Sequence, residues 1–390
     1  MIPYGRQDVR DSDIEAVIEI LRSDFLTQGP TVPEFEELVA RRVGAAHAIA
    51  VNSATSALHV ACLALELGAN DVLWTVPNTF VASANCGRYC GASVDFVDID
   101  PHTGNMDVGA LRSRLIEANK VGRVPKVVVP VHFAGQPPEQ EFIWELAQHY
   151  GFKVLEDASH AIGASHQGEA VGNCRWSDIT VFSFHPVKII TTGEGGMALT
   201  NDPVLAERMG TLRLHGITRE PQLLVCAPSD RPTPPQWYYE QQMLGYNYRM
   251  TDIHAALGKS QLTRLDEYVD RRNSLALRYN ELLEGFSLSL PVVLPENRSA
   301  FHLYVVHLAG ASPEKHQRIL EALRARGIGV NVHYLPVHLQ PYYRALGFQE
   351  GQFPVAEKHA GSAMSLPLFA SLTDGQQDKV VNDLREVLGD

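Results

Sequence analysis

Hydrophobic positions near the start of the chain recur at helical spacing. Apolar residues at intervals of i, i+3, i+4 and i+7 are Ile14, Val17, Ile18 and Leu21. This spacing places them on one face of a helix, and Ser12 is suited to cap its first turn. The pattern therefore predicts an opening helix with one apolar face.

A second helical pattern begins near Pro33, a residue favoured in the first turn, and directs Phe35, Leu38 and Val39 towards the core. Short, continuous apolar runs then alternate with further helical segments. Runs of this kind are typical of strands that are covered on both faces. The predicted strands are residues 47–51, 72–76, 94–97, 127–131, 152–155 and 179–182, and the predicted helices among them include 55–67, 80–90 and 139–150.

This alternation predicts an α/β fold with a mostly parallel central sheet between helices. The pattern changes after about residue 265, so we expect a large domain over residues 1–265 and a smaller C-terminal α+β domain over 266–390. A polar, proline-rich stretch at 228–235 indicates an exposed excursion within the first domain. The later predicted elements are helices after Thr251 and at 273–283, 313–326 and 374–388, and strands at 302–308 and 329–334.

The charge and cysteine content narrow the possible functions. The 390 residues include 33 Lys and Arg against 45 Asp and Glu, a net charge of −12 at pH 7. A negative field opposes nucleic-acid binding. No apolar run reaches the length of a membrane helix and no apolar leader opens the chain, so we expect no membrane contact and a cytoplasmic location. The five cysteines include no Cys-x-x-Cys pair and are typical of free thiols in a reducing compartment.

The first candidate for chemistry is Lys188, which follows a predicted buried strand and precedes the glycine-rich run Gly193-Glu-Gly-Gly196. Apolar neighbours desolvate an amine and favour its neutral form, which is the nucleophile that attacks a carbonyl carbon. The alternative is a lysine whose amine lies in solvent, as most lysine amines do.

The second candidate is Asp157, at the end of another apolar strand. In open α/β sheets the carboxyl ends of the strands form the ligand crevice, so we expect Asp157 and Lys188 at the same sheet edge. A carboxylate there is suited to pair with a protonated pyridine nitrogen. The alternative is that Asp157 caps the following helix.

Two further segments begin helices at the predicted crevice. Small residues including Ala54 and Thr55 lead from a strand into a helix whose free N–H groups would form a site for one phosphate. Phe80 starts another helix and is suited to lie on a planar cofactor. Ordinary N-capping and an aromatic core position are the respective alternatives.

An amine, a carboxylate, an anion site and an aromatic ring are the groups needed to bind pyridoxal 5′-phosphate. Their order along the chain resembles that of the fold-type-I pyridoxal-phosphate transferases, and within them the DegT/DnrJ/EryC1/StrS sugar aminotransferase family. The matching segments extend over nearly the whole chain. They are Leu26-Thr-Gln-Gly-Pro30, Asn52-Ser-Ala-Thr-Ser-Ala-Leu58, Glu156-Asp157, Phe184-His-Pro-Val-Lys188, Thr192-Gly-Glu-Gly-Gly196, Gly245-Tyr-Asn-Tyr-Arg-Met250 and Val332-His-Tyr-Leu-Pro336.

The resemblance implies roles for the residues around the cofactor ring. Lys188 would form the internal aldimine and then carry a proton between the substrate carbon and cofactor C4′. Asp157 would face the pyridine nitrogen, and Phe80 would stack on the ring. Family members that dehydrate their substrate carry histidine in place of this lysine, so Lys188 implies transamination by a ping-pong mechanism.

The resemblance also implies how the cofactor phosphate and its surroundings are held. Ser183 and the amides of Ala54 and Thr55 would bind the phosphate, and Asn247 would reach the phosphate of the neighbouring subunit. The protein would therefore be a homodimer with shared active sites. His160 departs from the family pattern, because many relatives carry glutamine there, beside the cofactor 3′-oxygen.

Several segments resemble the 4-aminotransferases of pseudaminic acid synthesis in particular. Those enzymes move an amino group from L-glutamate to C4 of a UDP-linked 2-acetamido-2,6-dideoxy-4-ketohexose. The residues that would contact the nucleotide sugar by this resemblance are Tyr4, Thr27, Gln28, Asn247 and Tyr334. Another nucleotide ketosugar, dTDP-linked or with the ketone at C3, is the alternative substrate.

Three other functional classes compete with this interpretation. A nicotinamide dehydrogenase would carry Gly-x-Gly-x-x-Gly between a strand and a helix, a spacing that the glycines after Lys188 lack. A metal hydrolase would use His132, Asp157, His160 and His185, but neither His-Glu-x-x-His nor Cys-x-x-Cys is present, and we expect no metal. A pyridoxal-phosphate-binding regulator without turnover is the third alternative.

Overall fold

A computed structural model of the chain describes residues 1–226 and 235–389. The proline-rich excursion predicted at 228–235 lies outside these residues except for its last position. In the two described stretches, no helix is both long enough and apolar enough to span a membrane.

The helices carry the labels α1 to α13 in chain order. They are α1 (Asp11–Leu21), α2 (Thr31–Val43), α3 (Ala54–Ala64), α4 (Ala82–Tyr89), α5 (Val108–Lys120), α6 (Gln140–Tyr150), α7 (Pro203–Leu212), α8 (Asp252–Leu262), α9 (Leu265–Leu282), α10 (Pro313–Ala325), α11 (Pro341–Arg344), α12 (Pro354–Ala360) and α13 (Asp374–Leu388).

The strands carry the labels β1 to β15. They are β1 (His47–Val51), β2 (Val72–Thr75), β3 (Ser93–Phe96), β4 (Val127–Val129), β5 (Lys153–Asp157), β6 (Ser165–His166), β7 (Glu169–Ala170), β8 (Ile179–Ser183), β9 (Gly196–Thr200), β10 (Ile217–Thr218), β11 (Glu240–Gln241), β12 (Leu288–Ser289), β13 (Asn297–Arg298), β14 (Tyr304–Leu308) and β15 (Ala363–Leu366).

The central sheet has seven strands in the order β1-β9-β8-β5-β4-β2-β3. The strands from β8 to β3 pair in parallel, whereas β9 pairs antiparallel with both β8 and β1. The predicted mostly parallel α/β fold is therefore confirmed. All residues of β4 and β8 are buried, as expected for apolar runs covered on both faces.

Strand β9 was not predicted, because it follows the glycine-rich run directly. Its first residue, Gly196, has a structural reason to lack a side chain. A Cβ atom at this position would overlap the backbone of Ser53 and Ala54. The glycine therefore lets β9 approach the N-terminus of α3 closely.

The structure corrects three details of the N-terminal helices. Ser12 lies inside α1, whose N-cap is Arg10, and the carboxylate of Asp13 accepts the Arg10 N–H at 2.9 Å. On the apolar face predicted for α1, Ile14 and Leu21 are exposed and the other two positions are half-buried. Leu38 on α2 is also exposed. Periodicity identified these faces but not what covers them.

The C-terminal elements that were predicted are present except for one strand, whereas α11, α12 and β15 were not predicted. Residues 329–334 form no strand, and Asn331 makes only an isolated bridge to Ser365. Helix α9 packs with Leu265 and Val269 in one buried cluster and with Leu275 in another. The domain boundary near residue 265 stays a prediction.

The buried carboxylate of Asp252 joins the N-terminal segment to α8. It accepts hydrogen bonds from the N–H groups of Gly29 at 2.8 Å, Thr31 at 2.9 Å and Val32 at 3.3 Å. These groups stand at the start of α2, where helix N–H groups lack helical partners and favour a negative charge. Asp252 therefore fixes the segment that ends at α2.

We predict that Asp252→Ala lowers the free energy of unfolding by about 2–3 kcal/mol, because it leaves buried N–H donors without their charged acceptor. The measurement is the shift of the urea unfolding midpoint. The matched control is Asp270→Ala, which removes only an exposed ion pair with Arg298 and should cost less than about 1 kcal/mol. Equal losses in the two variants would contradict the assignment.

Candidate active site

A cavity of about 460 Å³ opens where β5 and β8 end. The last residues of these strands, Asp157 and Ser183, are both in its wall. The N-terminus of α3 and the segment before α4 complete the same edge of the sheet, as the strand-end rule predicts. The sequence-predicted residues that line the cavity are Tyr4, Ala54, Thr55, Phe80, Asp157, His160, Ser183, Lys188 and Tyr334.

Lys188 lies after β8 and places its amine on the cavity wall. Its Nζ is 3.5 Å from Nε2 of His302. Burial lowers the pKa of Lys188 to about 8, although the negative charge of Asp157 acts in the opposite direction. A substantial fraction of the amine is therefore neutral near neutral pH, which is the condition for nucleophilic attack.

Asp157 ends β5 and is nearly buried. Ser83 Oγ donates to its Oδ2 at 2.6 Å, and the N–H of Ser159 donates to its Oδ1 at 3.2 Å. Two donors fix the orientation of the carboxylate within the cavity wall. The contact from Ser83 was not predicted, although Ser83 is the second residue of α4 and follows Phe80 by three residues.

The N-terminus of α3 lies at the cavity, where the sequence predicts a site for one phosphate. Ser53 caps the helix by accepting the Ser56 N–H at 3.1 Å. The first N–H groups of a helix have no acceptor within it, and Ala54 and Thr55 line the cavity. Ser183 also lines the cavity and pairs in the sheet with Gly196, which approaches the backbone of Ala54 closely. The site therefore offers amide and hydroxyl donors to an anion.

His160 is part of a buried group of rings. Its Nε2 is 3.1 Å from the hydroxyl of Tyr334, and its ring centre is 4.3 Å from that of His302. Burial lowers the pKa of His160 and of His302, and the positive charge of Lys188 lowers both further. Both imidazoles are therefore neutral at neutral pH and act as hydrogen-bonding groups.

His302 and His333 are residues of this site that the sequence reasoning missed. His333 lines the cavity, and burial lowers its pKa to about 4. His302 comes from the segment before β14 and is brought to Lys188 by tertiary packing. The only local signal for His302 was its place at the start of the strand predicted at 302–308.

Three predicted residues are not among those that line the cavity. Thr27 and Gln28 are exposed on the segment between α1 and α2, and Asn247 is exposed beside its bridge to Leu214. Phe80 lines the cavity with 59% of its surface exposed, so it lies at the rim rather than in the core. All predicted cofactor residues except Asn247 therefore line the cavity of a single chain.

The residues in the cavity fit pyridoxal 5′-phosphate. Lys188 supplies an amine with a lowered pKa, Asp157 supplies an oriented carboxylate, and α3 supplies the N–H groups that a phosphate requires. His160 lines the cavity and has a buried Nδ1 without a partner in the described parts of the chain. Such atoms are suited to meet a polar ligand.

The family model described as the DegT/DnrJ/EryC1/StrS aminotransferase family matches residues 7–385. The chain belongs to this family. Its structural neighbours include Spr1654 from Streptococcus pneumoniae, solved in a PLP form with a TM-score of 0.89 and 29% identity. That match covers 100% of this chain and 98% of the neighbour. The PMP form of the same protein has a TM-score of 0.90 at 28% identity, with 100% and 99% covered.

Two other proteins are similar to this chain over nearly their full lengths. The spore coat polysaccharide biosynthesis protein SpsC of Bacillus subtilis is 37% identical over 391 residues, covering 99% of this chain and 97% of SpsC. Helicobacter pylori PseC, an aminotransferase involved in the biosynthesis of pseudoaminic acid, has a TM-score of 0.90 and 31% identity. That match covers 100% of this chain and 99% of PseC.

The protein is therefore a pyridoxal-phosphate-dependent sugar aminotransferase with the fold of the type-I enzymes. This family assignment replaces the nicotinamide-dehydrogenase and regulator alternatives. The metal-hydrolase alternative also lacks support, because residues 1–226 and 235–389 contain no group of three or more His, Cys, Asp or Glu that could hold a metal ion.

We predict that the amine of Lys188 in the cofactor-free protein reacts with trinitrobenzenesulfonate with a midpoint near pH 8, because burial lowers its pKa to about 8. Asp157→Asn should move this midpoint to lower pH, since the negative charge of Asp157 raises the pKa of Lys188. Peptide mass spectrometry measures the extent of labelling at Lys188. Glu194→Gln, a neutralisation elsewhere in the wall, is the control and should leave the midpoint in place. A shift to higher pH in Asp157→Asn would contradict this account.

Proposed function

We propose that this enzyme transfers the amino group of L-glutamate to C4 of a UDP-linked 2-acetamido-2,6-dideoxy-4-ketohexose, the reaction expected in the pseudaminic acid pathway. The likeness to PseC over the whole chain, at a TM-score of 0.90 and 31% identity, is the main support for this substrate. The N-terminal Tyr4 and the C-terminal Tyr334 line the same cavity as Lys188, which is consistent with a substrate pocket formed by distant segments.

Lys188 performs the proton and amine chemistry in this proposal. Pyridoxal phosphate, when bound, supplies an aldehyde that exchanges amines and a ring that withdraws electrons from the substrate carbon. Near neutral pH the buried Lys188 amine is partly neutral, so it accepts a proton from the substrate carbon and returns it at another position. The same amine serves glutamate in one half-reaction and the ketosugar in the other, which predicts ping-pong kinetics.

The surrounding residues hold charges in fixed places during both half-reactions. Asp157, oriented by Ser83 and by the Ser159 N–H, keeps a carboxylate in the wall where a ring nitrogen would carry a proton. The N-terminus of α3 holds a phosphate group. His160, joined to the hydroxyl of Tyr334, stays neutral and positions polar groups of the ligand.

A homodimer with shared active sites is part of the proposal. Asn247, Thr27 and Gln28 are exposed and outside the cavity of their own chain, so they are available to a neighbouring cavity. The exposed apolar residues Ile14 and Leu21 on α1 offer a surface that a second copy would cover. We also propose a cytoplasmic location, in keeping with cysteines that are free in the described structure.

A second substrate class has its own support. SpsC, at 37% identity, is a spore coat polysaccharide biosynthesis protein, and its identity exceeds that of PseC. Another nucleotide ketosugar, dTDP-linked or with its ketone at C3, is therefore the second candidate. The choice of nucleotide sugar depends on pocket walls that differ between relatives. It does not depend on the fold or on the cofactor residues.

We predict that enzyme loaded with the amino form of the cofactor converts the UDP-linked 4-ketosugar faster than any dTDP-linked ketosugar in a panel. The measurement is the initial rate of amino-sugar formation by mass spectrometry, with 2-oxoglutarate formed in the glutamate half-reaction. Lys188→Arg keeps the positive charge but should lower the rate by about 1000-fold, because a guanidinium stays protonated. Equal or faster turnover of a dTDP-linked 3-ketosugar would overturn the substrate but leave the family assignment intact.

We predict that subunit mixing restores activity between two inactive variants. In a heterodimer of Lys188→Ala and Asn247→Ala chains, one cavity combines an intact Lys188 with the partner's intact residue at position 247. Random reassortment makes about half of the dimers heterodimers, and each heterodimer has one complete active site of two. About a quarter of the wild-type number of active sites should therefore be restored. Activity after mixing and dilution from mild denaturant is the measurement, and each variant treated alone is the control. No recovery in mixtures whose heterodimers are detected by native mass spectrometry would contradict shared sites.

A further inference from the structure

A group of thiols lies between α3 and α4, apart from the residues that line the active cavity. His59 and Cys62 are three residues apart on α3, and Cys86 and Cys90 are four apart along α4 and its C-cap. These intervals place each pair on one helix face, and α3 packs against α4. We call His59, Cys62, Cys86 and Cys90 the thiol cluster.

His59 is buried with one ring nitrogen unpaired. Its Nδ1 is 3.2 Å from the hydroxyl of Tyr248, and its Nε2 has no partner in the described residues. The ring packs at 5.4 Å from that of Tyr89, next to Cys90 in the chain. An unpaired buried nitrogen beside a cysteine is suited to interact with its sulfur.

The three cysteines differ in exposure and in electrostatic environment. Hydrogen bonding from the Cys62 thiol, helped by His59, lowers the pKa of Cys90 to about 6. Interaction with the thiols of Cys86 and Cys90 and burial together raise the pKa of Cys62. Cys62 and Cys86 are buried, whereas Cys90 is partly exposed. The cluster thus has one partly exposed cysteine whose thiol ionises readily and a buried cysteine whose thiol stays protonated.

This arrangement is not that of a metal centre. Three cysteines and a histidine are a common zinc ligand set, yet in the described stretches no group of three or more such side chains is placed to hold a metal ion. Cys86 Sγ instead donates to the carbonyl of Ser83 at 3.2 Å. The thiol cluster is therefore better suited to thiol chemistry than to metal binding.

We propose that Cys90 is a site of oxidation by hydroperoxides and that Cys62 resolves the product to a disulfide. The Cys90 thiolate attacks the peroxide oxygen, the O–O bond breaks, and sulfenic acid forms with release of hydroxide, so the sulfur loses the two electrons that the peroxide gains. Cys62 then attacks the Cys90 sulfur, and the S–OH group leaves as water with the Cys62 proton. The net product is one disulfide between α3 and α4.

The first test follows alkylation of the wild-type holoenzyme by iodoacetamide from pH 5 to 9, with each cysteine resolved by peptide mass spectrometry. We expect the rate at Cys90 to level off above about pH 7, because the pKa of Cys90 is about 6. Exposed Cys226 is the internal reference, and an ordinary thiol reacts about tenfold faster for each pH unit in this range. Cys174 is a buried reference whose pKa burial raises to about 12, and it should remain unlabelled. A Cys90 profile parallel to that of Cys226, or no reaction at Cys90, would overturn the proposal.

The second test treats the same holoenzyme with hydrogen peroxide. We expect a peptide pair linked through Cys62 and Cys90, with a mass loss of about 2 Da. In Cys62→Ser the linkage should disappear and a sulfenic acid at Cys90 should be trapped by dimedone. Cys226→Ser is the matched control and should form the linkage at the wild-type rate. Wild-type enzyme that acquires no link and no dimedone adduct at Cys90 would refute the assignment, whether or not the Cys62 variant folds.

Discussion

The active cavity depends on placing an amine and a carboxylate together in a partly desolvated space. The negative charge of Asp157 raises the pKa of Lys188, while burial lowers it, and burial has the larger effect. A fully solvated lysine would be almost wholly protonated and unreactive as a nucleophile. This balance between burial and attraction gives Lys188 the partly neutral amine that the proposed chemistry requires.

The central sheet creates this balance through its strand ends. β5 and β8 are neighbours in the sheet, so their carboxyl ends bring Asp157 and Ser183 to one edge. Behind them, buried Glu156 accepts hydrogen bonds from Thr180 at 2.6 Å and from Gln140, and lies 3.4 Å from His132. A buried carboxylate with several partners is held firmly. The hydrogen bonds of Glu156 therefore hold β5 against β8 and α6.

Sequence alone predicted those parts of the fold that local pattern determines. The parallel strands are continuous apolar runs and were located within a few residues, whereas β9 follows a glycine-rich run and was missed. Lys188 and Asp157 were found because both follow buried strands. Ser83 and His302 were not, since 74 residues separate Ser83 from Asp157 and 114 separate His302 from Lys188. Only tertiary packing brings such pairs together, and the exposed face of α1 shows that periodicity does not identify what covers a helix.

The histidines around the cavity are neutral at neutral pH and add no charge to it. His160 and His302 have pKa values that burial and the nearby Lys188 charge hold well below the ordinary range, and the pKa of His333 is lowered to about 4 for the same reasons. In a desolvated space one positive charge disfavours another, so an ammonium at Lys188 keeps the adjacent imidazoles neutral. Loss of that proton weakens this repulsion but leaves their burial unchanged. Near pH 8 the Lys188 amine therefore changes charge while these rings remain neutral donors and acceptors. The fixed dipoles of α3 remain to attract an anion.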